Sequence, residues 1–347
     1  MGLRLALIGC GGISRAHLDG IRQLDGLVEV VAVCDTDRGA AAQAAARAGG
    51  GPAVCERYQE VLARDDVQAV DILLPHHLHA PVTLAAAAAG KHVLCEKPIA
   101  RTRAEARQMI QAAQAAGIKL MVAYCERYAN EYQAAHALLQ QGAIGPLHLS
   151  RIDHNQWVSP PAGHWLTDPE ALGGGAVAGS GTHRLDLLRW FNGEVARVAA
   201  FAANTGVTTG RGEDVAAISL EFANGAVGEM AISWSCRRFP WYEGLWLYGE
   251  QGVIHNVGGL QLSRLGADGQ ATEYEPVPLP HDDRGGFREE IRHFAECVLE
   301  NRQPLTDGEQ ALRTLELVEA VYRAATTRQV VSLPLPEDES GSRTPNI

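Results

Sequence analysis

No two cysteines of this chain are spaced Cys-x-x-Cys. The seven present (Cys10, Cys34, Cys55, Cys95, Cys125, Cys236 and Cys297) are scattered, and most fall inside apolar runs. A reduced thiol behaves there as a small hydrophobe, so neither a metal site nor a disulfide framework is expected. No segment reaches the ~20 apolar residues of a membrane span. The opening "MGLRLALIGCGG" has too short an apolar run, followed by the wrong residues, for a secretory signal. These absences predict a cytoplasmic protein without a membrane partner. Basic clusters are missing too: 30 Lys and Arg are spread among 41 Asp and Glu, for a formal net charge of -11, which argues against nucleic acid as a partner. Internal repeats and long low-complexity linkers are also lacking. What is present is a globular composition, 46% apolar over 347 residues. That length exceeds what one core usually organises, so two domains are expected.

The N-terminal third alternates apolar runs ("LRLALIG", "EVVAVCD", "AVDILLP", "KHVLCEK", "IKLMVAY") with alanine-rich helical segments. Runs without polar alternation suit parallel strands covered on both faces, and their regular alternation with helices signals a doubly wound sheet. Further on the texture changes to period-2 segments such as "VAAISLEFANGAVGEMAISWS", in which Asn224-Gly225 reads as a tight hairpin turn. A mostly antiparallel sheet follows from that. Two late segments, "GFREEIRHFAECVLEN" and "GEQALRTLELVEAVYRAATTR", carry helical spacing.

"LALIGCGGIS" sets Gly9, Gly11 and Ser14 in a G-x-G-x-x-G/A fingerprint between a strand and a helix, with Gly12 and Ile13 in the same loop. Dinucleotide binding needs a tight turn at the first position, close approach of pyrophosphate over the second, and a small third residue for helix packing. The anion then sits at the helix N-terminus. Asp35 ends the second strand, 21 residues after Ser14, where an acid holds ribose hydroxyls and repels a 2'-phosphate. NAD is therefore expected, while Arg38 nearby keeps NADP open. "GKHVLCEKPIA" puts Glu96, Lys97 and Pro98 at the C-terminal end of a strand, the edge where doubly wound sheets bind ligands. A lysine there can reach substrate beside the nicotinamide, and the proline restricts its backbone.

"GCGGISRAH", "PHHLHAP", "GKHVLCEKPIA" and the "GGG…GTHRLD" run, in this order and spacing, resemble the Gfo/Idh/MocA oxidoreductase family over nearly the whole chain. The resemblance implies a Rossmann NAD(P)-binding domain over 1–124 and a substrate and oligomerisation α/β domain with a large open sheet over 125–333. The late helices would pack back on the first domain, and 334–347 would be a disordered tail. It further implies a sugar or polyol substrate oxidised at one carbinol carbon, and a homodimer or homotetramer. Lys97 would be the catalytic-site lysine and His183 the acid/base histidine. Tyr124 and Arg127 would flank the cofactor, with Pro75, His76 and His79 near the nicotinamide; for His79 a helix-start residue packing on the loop is the alternative.

One position departs from the family pattern. Where many members carry an aspartate four residues before the histidine, this chain has Gly179. Three replacements are open: Asp186, three residues beyond His183 on the same helix face; Asp153 or His154 from a strand; or Lys97 taking the proton itself. Gly179 would also enlarge the pocket enough for a glycoside, and the small residues from Gly173 to Gly181 would let backbone approach the substrate. Trp157, His164 and Trp165 are candidates for stacking on a sugar, or else loop anchors. The expected activity is an NAD-dependent dehydrogenase acting on a secondary hydroxyl. The alternatives are a glycosidase-like enzyme with transient oxidation and a non-catalytic NAD-bound sugar sensor.

Overall fold

The computed structural model describes residues 2–237, 241–280 and 285–336. The chain divides into two units, Met1–Tyr128 with Gly285–Arg313, and Ala129–Arg284 with Thr314–Ile347. Of the segment expected to be a disordered tail, 334–336 are described, with Leu335 buried and its N–H on a Glu316 carboxylate oxygen at 3.0 Å; 337–347 lie outside the described residues.

In the first unit, β1 (Leu3–Ile8), β2 (Val28–Cys34), β3 (Ala53–Cys55), β4 (Ala69–Ile72), β5 (His92–Glu96) and β6 (Leu120–Ala123) form one parallel sheet in the order β3-β2-β1-β4-β5-β6. Every residue of β4 and β6 is buried, which explains why these strands read as unbroken apolar runs. Helices α1 (Ser14–Ile21), α2 (Arg38–Ala48), α3 (Tyr58–Leu62), α4 (His79–Ala88) and α5 (Arg103–Ala116) supply the crossovers. The chain sets their ends: Asp37 caps α2, while α5 starts at a Thr102/Glu105 capping box and stops at Gly117, φ +66°. This strand order reverses direction between β1 and β4, and the crevice outside their C-terminal ends is the place such sheets bind ligands.

The second unit contributes α6 (Asn130–Gln140), β7 (Leu147–Gln156), α7 (Pro169–Leu172), α8 (Thr182–Asn192), β8 (Val195–Ala203), β9 (Val215–Phe222), β10 (Val227–Ser233), β11 (Trp241–Gly249), β12 (Gly252–His255), β13 (Gln261–Arg264) and β14 (Glu275–Pro276). After α9 (Phe287–Leu299) in the first unit and α10 (Gly308–Thr327), which runs from the first unit into the second, β15 (Val331–Ser332) completes a nine-stranded sheet. Its order is β14-β13-β12-β11-β7-β10-β9-β8-β15, antiparallel except between β7 and β10. The hairpin at Asn224-Gly225 is present, with Gly225 at φ +87°. Inward residues Ile152, Ile218, Leu220 and Ile232 pack in one core with Leu185, Leu187 and Leu188 of α8. Among the described residues no helix is long and apolar enough to cross a membrane.

Candidate functional site

At the C-terminal edge of the parallel sheet, Gly9 turns at φ +102°, and a Cβ there would lie 2.3 Å from the Leu73 carbonyl oxygen. Only glycine fits that approach. Gly11 and Gly12 differ, because a Cβ on either would meet nothing within 4 Å, so the loop presents bare backbone to open space. Ile13 is exposed beside them, and α1 begins without a side-chain cap. Of its first N–H groups, those of Ser14 and Ala16 already donate to the Gly11 and Ile13 carbonyls at 3.2 and 3.0 Å, so the backbone offered to an anion is that of the glycine loop. Ser14 is buried, and its hydroxyl donates to the Gly11 carbonyl at 2.7 Å, which pins the turn. Asp35 reaches across from the end of β2: its Oδ2 accepts from the Cys10 N–H at 2.7 Å and its Oδ1 from the Asp37 N–H at 2.9 Å. Each carboxylate oxygen keeps a lone pair for a ribose hydroxyl. Arg38 is exposed and pairs with Glu56 at 2.8 Å. These residues fit a dinucleotide.

Lys97 follows β5, and its backbone is held from behind. Its N–H donates to Glu96 Oε2 at 2.9 Å, and Glu96 Oε1 lies 3.3 Å from His17 Nε2, whose Nδ1 lies 2.8 Å from Asp71 Oδ2. Burial disfavours charge on His17, yet the carboxylates at both ring nitrogens raise its pKa well above the usual value. Asp71 and Glu96 thus grip the ring from both nitrogens. Glu290 of α9 completes the cluster with no exposed surface and both carboxyl oxygens without a hydrogen-bond partner; burial pushes it strongly upward, toward the neutral acid. His17 sits inside the "GCGGISRAH" motif but was not singled out from sequence, and nothing in the local pattern marks Glu290.

Of the two readings open for His79, the geometry matches the packing one: it has no exposed surface, and its ring nitrogens lie 2.8 Å from the carbonyl oxygens of Pro98 and Leu74. It braces the loop after β4 against the peptide that follows Lys97. Pro75 opens the short turn His76–Leu78, in which His76 is buried with its ring 5.4 Å from that of His79. Tyr124 and Arg127 follow β6, both buried, with the Arg127 N–H on the Tyr124 carbonyl at 3.0 Å.

In the second unit His183 lies in the first turn of α8, directly after a π-helical turn at Val177–Gly181. Gly179 does not enlarge a pocket: a Cβ there would lie 2.3 Å from Trp234 Cζ2 and 2.5 Å from Cη2. The indole fills the place. Its Nε1 donates to Ser180 Oγ at 2.9 Å, as does Gln156 Nε2 at 2.6 Å. Gly181 serves the same packing, since a Cβ there would meet Met230 at 2.8 Å, while Gly174 and Gly175 are closed on by Tyr322 and Glu213. These glycines let the segment pack closely within its own unit, so the expectation of backbone bared to substrate is overturned.

The candidate orienting acids separate. Asp153 accepts from Arg151 Nε at 3.1 Å and Nη2 at 3.2 Å on its own strand, whereas Ser150 and Gln156 of β7 bond Asn192 and Ser180 on the other face. By strand parity Asp153 therefore points away from α8, which removes it as an orienter or substrate contact. His154 has the right parity but is 3.3 Å from Glu243, which Arg184 and Tyr132 also bind. Burial opposes charge on Glu243, but Arg184 and His154 bring its pKa down to about 2. Asp186 Oδ1 accepts from the Thr314 hydroxyl at 2.9 Å, and Arg189 donates to the same hydroxyl at 2.8 Å. Asp186 thus anchors α8 to α10. Trp157 forms a bridge with Ser235 under the Arg237 guanidinium, 4.1 Å from its ring centroid. Trp165 packs on the second unit's core, and His164 is exposed.

A glycine-rich turn open to an anion, an acid placed for ribose hydroxyls, and a braced lysine at the same sheet edge define a Rossmann-type, dinucleotide-dependent oxidoreductase. More narrowly, the chain belongs to the Gfo/Idh/MocA family. Residues 3–124 match the family described as "Oxidoreductase family, NAD-binding Rossmann fold", and 132–255 match the "GFO/IDH/MocA C-terminal domain". The chain is 32% identical to D-apiose dehydrogenase of Paraburkholderia graminis, over 96% of this chain and 91% of that one. It is 32% identical to inositol 2-dehydrogenase of Klebsiella pneumoniae over 68% and 69% of the two chains. Levoglucosan dehydrogenase, solved in complex with NADH and L-sorbose, superposes with a TM-score of 0.89 at 25% identity, covering 97% of this chain and 100% of that one.

Proposed function

We propose that the protein oxidises a secondary hydroxyl of a sugar, sugar derivative or cyclic polyol, with NAD as the preferred acceptor. The observation that carries this reading is the clamped Lys97 peptide at the C-terminal edge of a sheet whose glycine loop is open for a dinucleotide. When bound, NAD supplies the acceptor for the hydride that leaves the carbinol carbon. Gly11 and Gly12 hold its pyrophosphate, and Asp35 its ribose hydroxyls. Lys97 orients and polarises the substrate hydroxyl, and His183 accepts its proton, a task suited to an imidazole near neutral pH. Asp186 acts on His183 by fixing α8. The relatives' names support this substrate class, since they are dehydrogenases of apiose and inositol.

NADH formation by the purified protein across pyranoses, inositols, sugar acids and glycosides tests the reading. Turnover on at least one sugar or polyol is expected, while sugar release from a glycoside without accumulated NADH would move the protein to the glycosidase reading. For the cofactor, the Asp35 carboxylate predicts at least about tenfold tighter binding of NAD than of NADP. Asp35→Ala should weaken NAD about 10- to 100-fold, the worth of a charged hydrogen bond, as read by fluorescence titration. Tighter binding of NADP by the unaltered protein would contradict it. We also place the protein in the cytoplasm as a homodimer or homotetramer. The nine-stranded sheet supports self-association by leaving Phe201 72% and Val227 48% exposed.

A further inference from the structure

The helical segment that carries His183 begins before the π-helical turn, and helix starts leave four backbone N–H groups without intrahelical partners. Here two residues of the same unit bind four consecutive ones. Glu213, just before β9, is buried; its Oε1 accepts from the Val177 N–H at 2.9 Å and its carbonyl from the Ala176 N–H at 2.8 Å. Tyr322 of α10 donates its hydroxyl to Glu213 Oε1 at 2.7 Å and accepts from the N–H groups of Gly175 and Ala178, both at 3.1 Å. The glycines are the counterpart of this grip. A Cβ on Gly174 would lie 2.0 Å from the Tyr322 hydroxyl, and one on Gly175 2.0 Å from the Glu213 carbonyl oxygen and 2.6 Å from its Oε2. The cap can close on this segment only because no side chains stand in its way.

We infer that Glu213, acting with Tyr322, is the positioning residue for His183: it caps the helix start that carries the histidine, while Trp234 occupies the place of the family carboxylate. This rests on the reading that His183 accepts the substrate proton. An anion at a helix N-terminus is favoured by the dipole, and a carboxamide or a carboxylic acid gives up that charge even where Oε1 still accepts from Val177 and Tyr322. Burial pushes the Glu213 carboxyl up to about 7, against the Tyr322 hydroxyl and the Val177 N–H, which lower it. Tyr322 is the titratable side chain in contact with it. Asp214, next in the chain, is turned to the Thr205 N–H at 2.8 Å and hydroxyl at 2.7 Å. The charged cap therefore holds above about 7 and gives way to a neutral one as pH falls through that value. Stability has the opposite sign. Between 4.5 and about 7 the folded state retains a proton the unfolded state has released, so this group's contribution to stability declines as pH rises through that window.

The test compares kcat, KM and their pH dependence in the NAD-dependent reaction for the unaltered protein, Glu213→Gln, Tyr322→Phe and His183→Ala. Glu213→Gln should lower kcat about 10- to 100-fold, the size of a small misplacement of a catalytic group, with KM little changed. It should also remove the acid-side step near neutrality from the kcat profile and flatten the fall of the unfolding midpoint with rising pH. Tyr322→Phe, which deletes one hydroxyl, should lower kcat in the same direction and decides the matter if the Gln variant does not fold. With His183→Ala inactive, wild-type kcat and an unchanged acid limb in folded Glu213→Gln, or wild-type kcat in Tyr322→Phe where the Gln variant does not fold, would overturn the role of Glu213 alone. Full turnover by His183→Ala would instead overturn the reading of His183 itself, and the inference with it.

Discussion

Lys97→Ala is expected to lower kcat by about 10²- to 10⁴-fold, the usual worth of a positioned acid or base, while leaving NAD affinity within about twofold of the unaltered value. The two effects separate because the structure separates them. What holds the loop is the Lys97 backbone: its N–H lies on Glu96, Glu96 on His17, and the next carbonyl on His79. Alanine keeps that N–H and removes only the side chain. The pyrophosphate and ribose contacts proposed above belong to the loop after β1 and to Asp35, whose own bonds the substitution leaves untouched. Lys97→Arg should not restore the rate, since a planar guanidinium replaces a compact ammonium. Steady-state turnover beside a binding titration checks both parts. Unchanged kcat would take the lysine out of the chemistry.

Gly179→Asp, which restores the carboxylate common in the family, is expected to damage this protein. A Cβ at 2.3 Å from Trp234 Cζ2 cannot be relieved by a flexible tip. The indole is a rigid ring, 5% exposed and bonded to Ser180. Overpacking costs about 1–3 kcal/mol, and a carboxylate pressed against a buried ring adds a desolvation cost on top. Gly179→Ala isolates the first cost. Trp234→Ala alone costs about 3–5 kcal/mol, so the comparison is a double-mutant cycle: Gly179→Asp should cost less in the Trp234→Ala background than in the parent. Urea unfolding read on each variant, with turnover beside it, checks this. A Gly179→Asp protein as stable as its parent and more active would show that Trp234 does not own the site.

The cofactor end was legible because its information is local. A turn, a small residue and an acid follow each other at fixed spacing, and the structure adds only what fixes them: the Ser14 hydroxyl on Gly11, the Asp35 carboxylate on Cys10. Where the chemistry depends on partners distant in sequence, the pattern fell silent. Gly179 looks like vacant space until Trp234 arrives from the end of β10. Asp153 and His154 are adjacent in sequence, but one strand residue of parity decides which faces α8. His17, Asp71, Glu96 and Glu290 come from α1, β4, β5 and α9, and no segment by itself announces that three carboxyls and a histidine meet. At the start of a helix near the ligand edge, His79 admitted both a packing and a functional reading, and only its neighbours in space, two backbone carbonyls, match the first.

The most direct measurement uses the best substrate from the sugar panel, deuterated at the oxidised carbinol carbon, in a reaction run to completion with NAD. Deuterium recovered at C4 of the reduced nicotinamide, one per product formed and appearing about 10²- to 10⁴-fold more slowly with Lys97→Ala, is the expected result. Product that keeps its deuterium while NAD stays oxidised, or deuterium lost to solvent without reduced cofactor, would contradict a dehydrogenase.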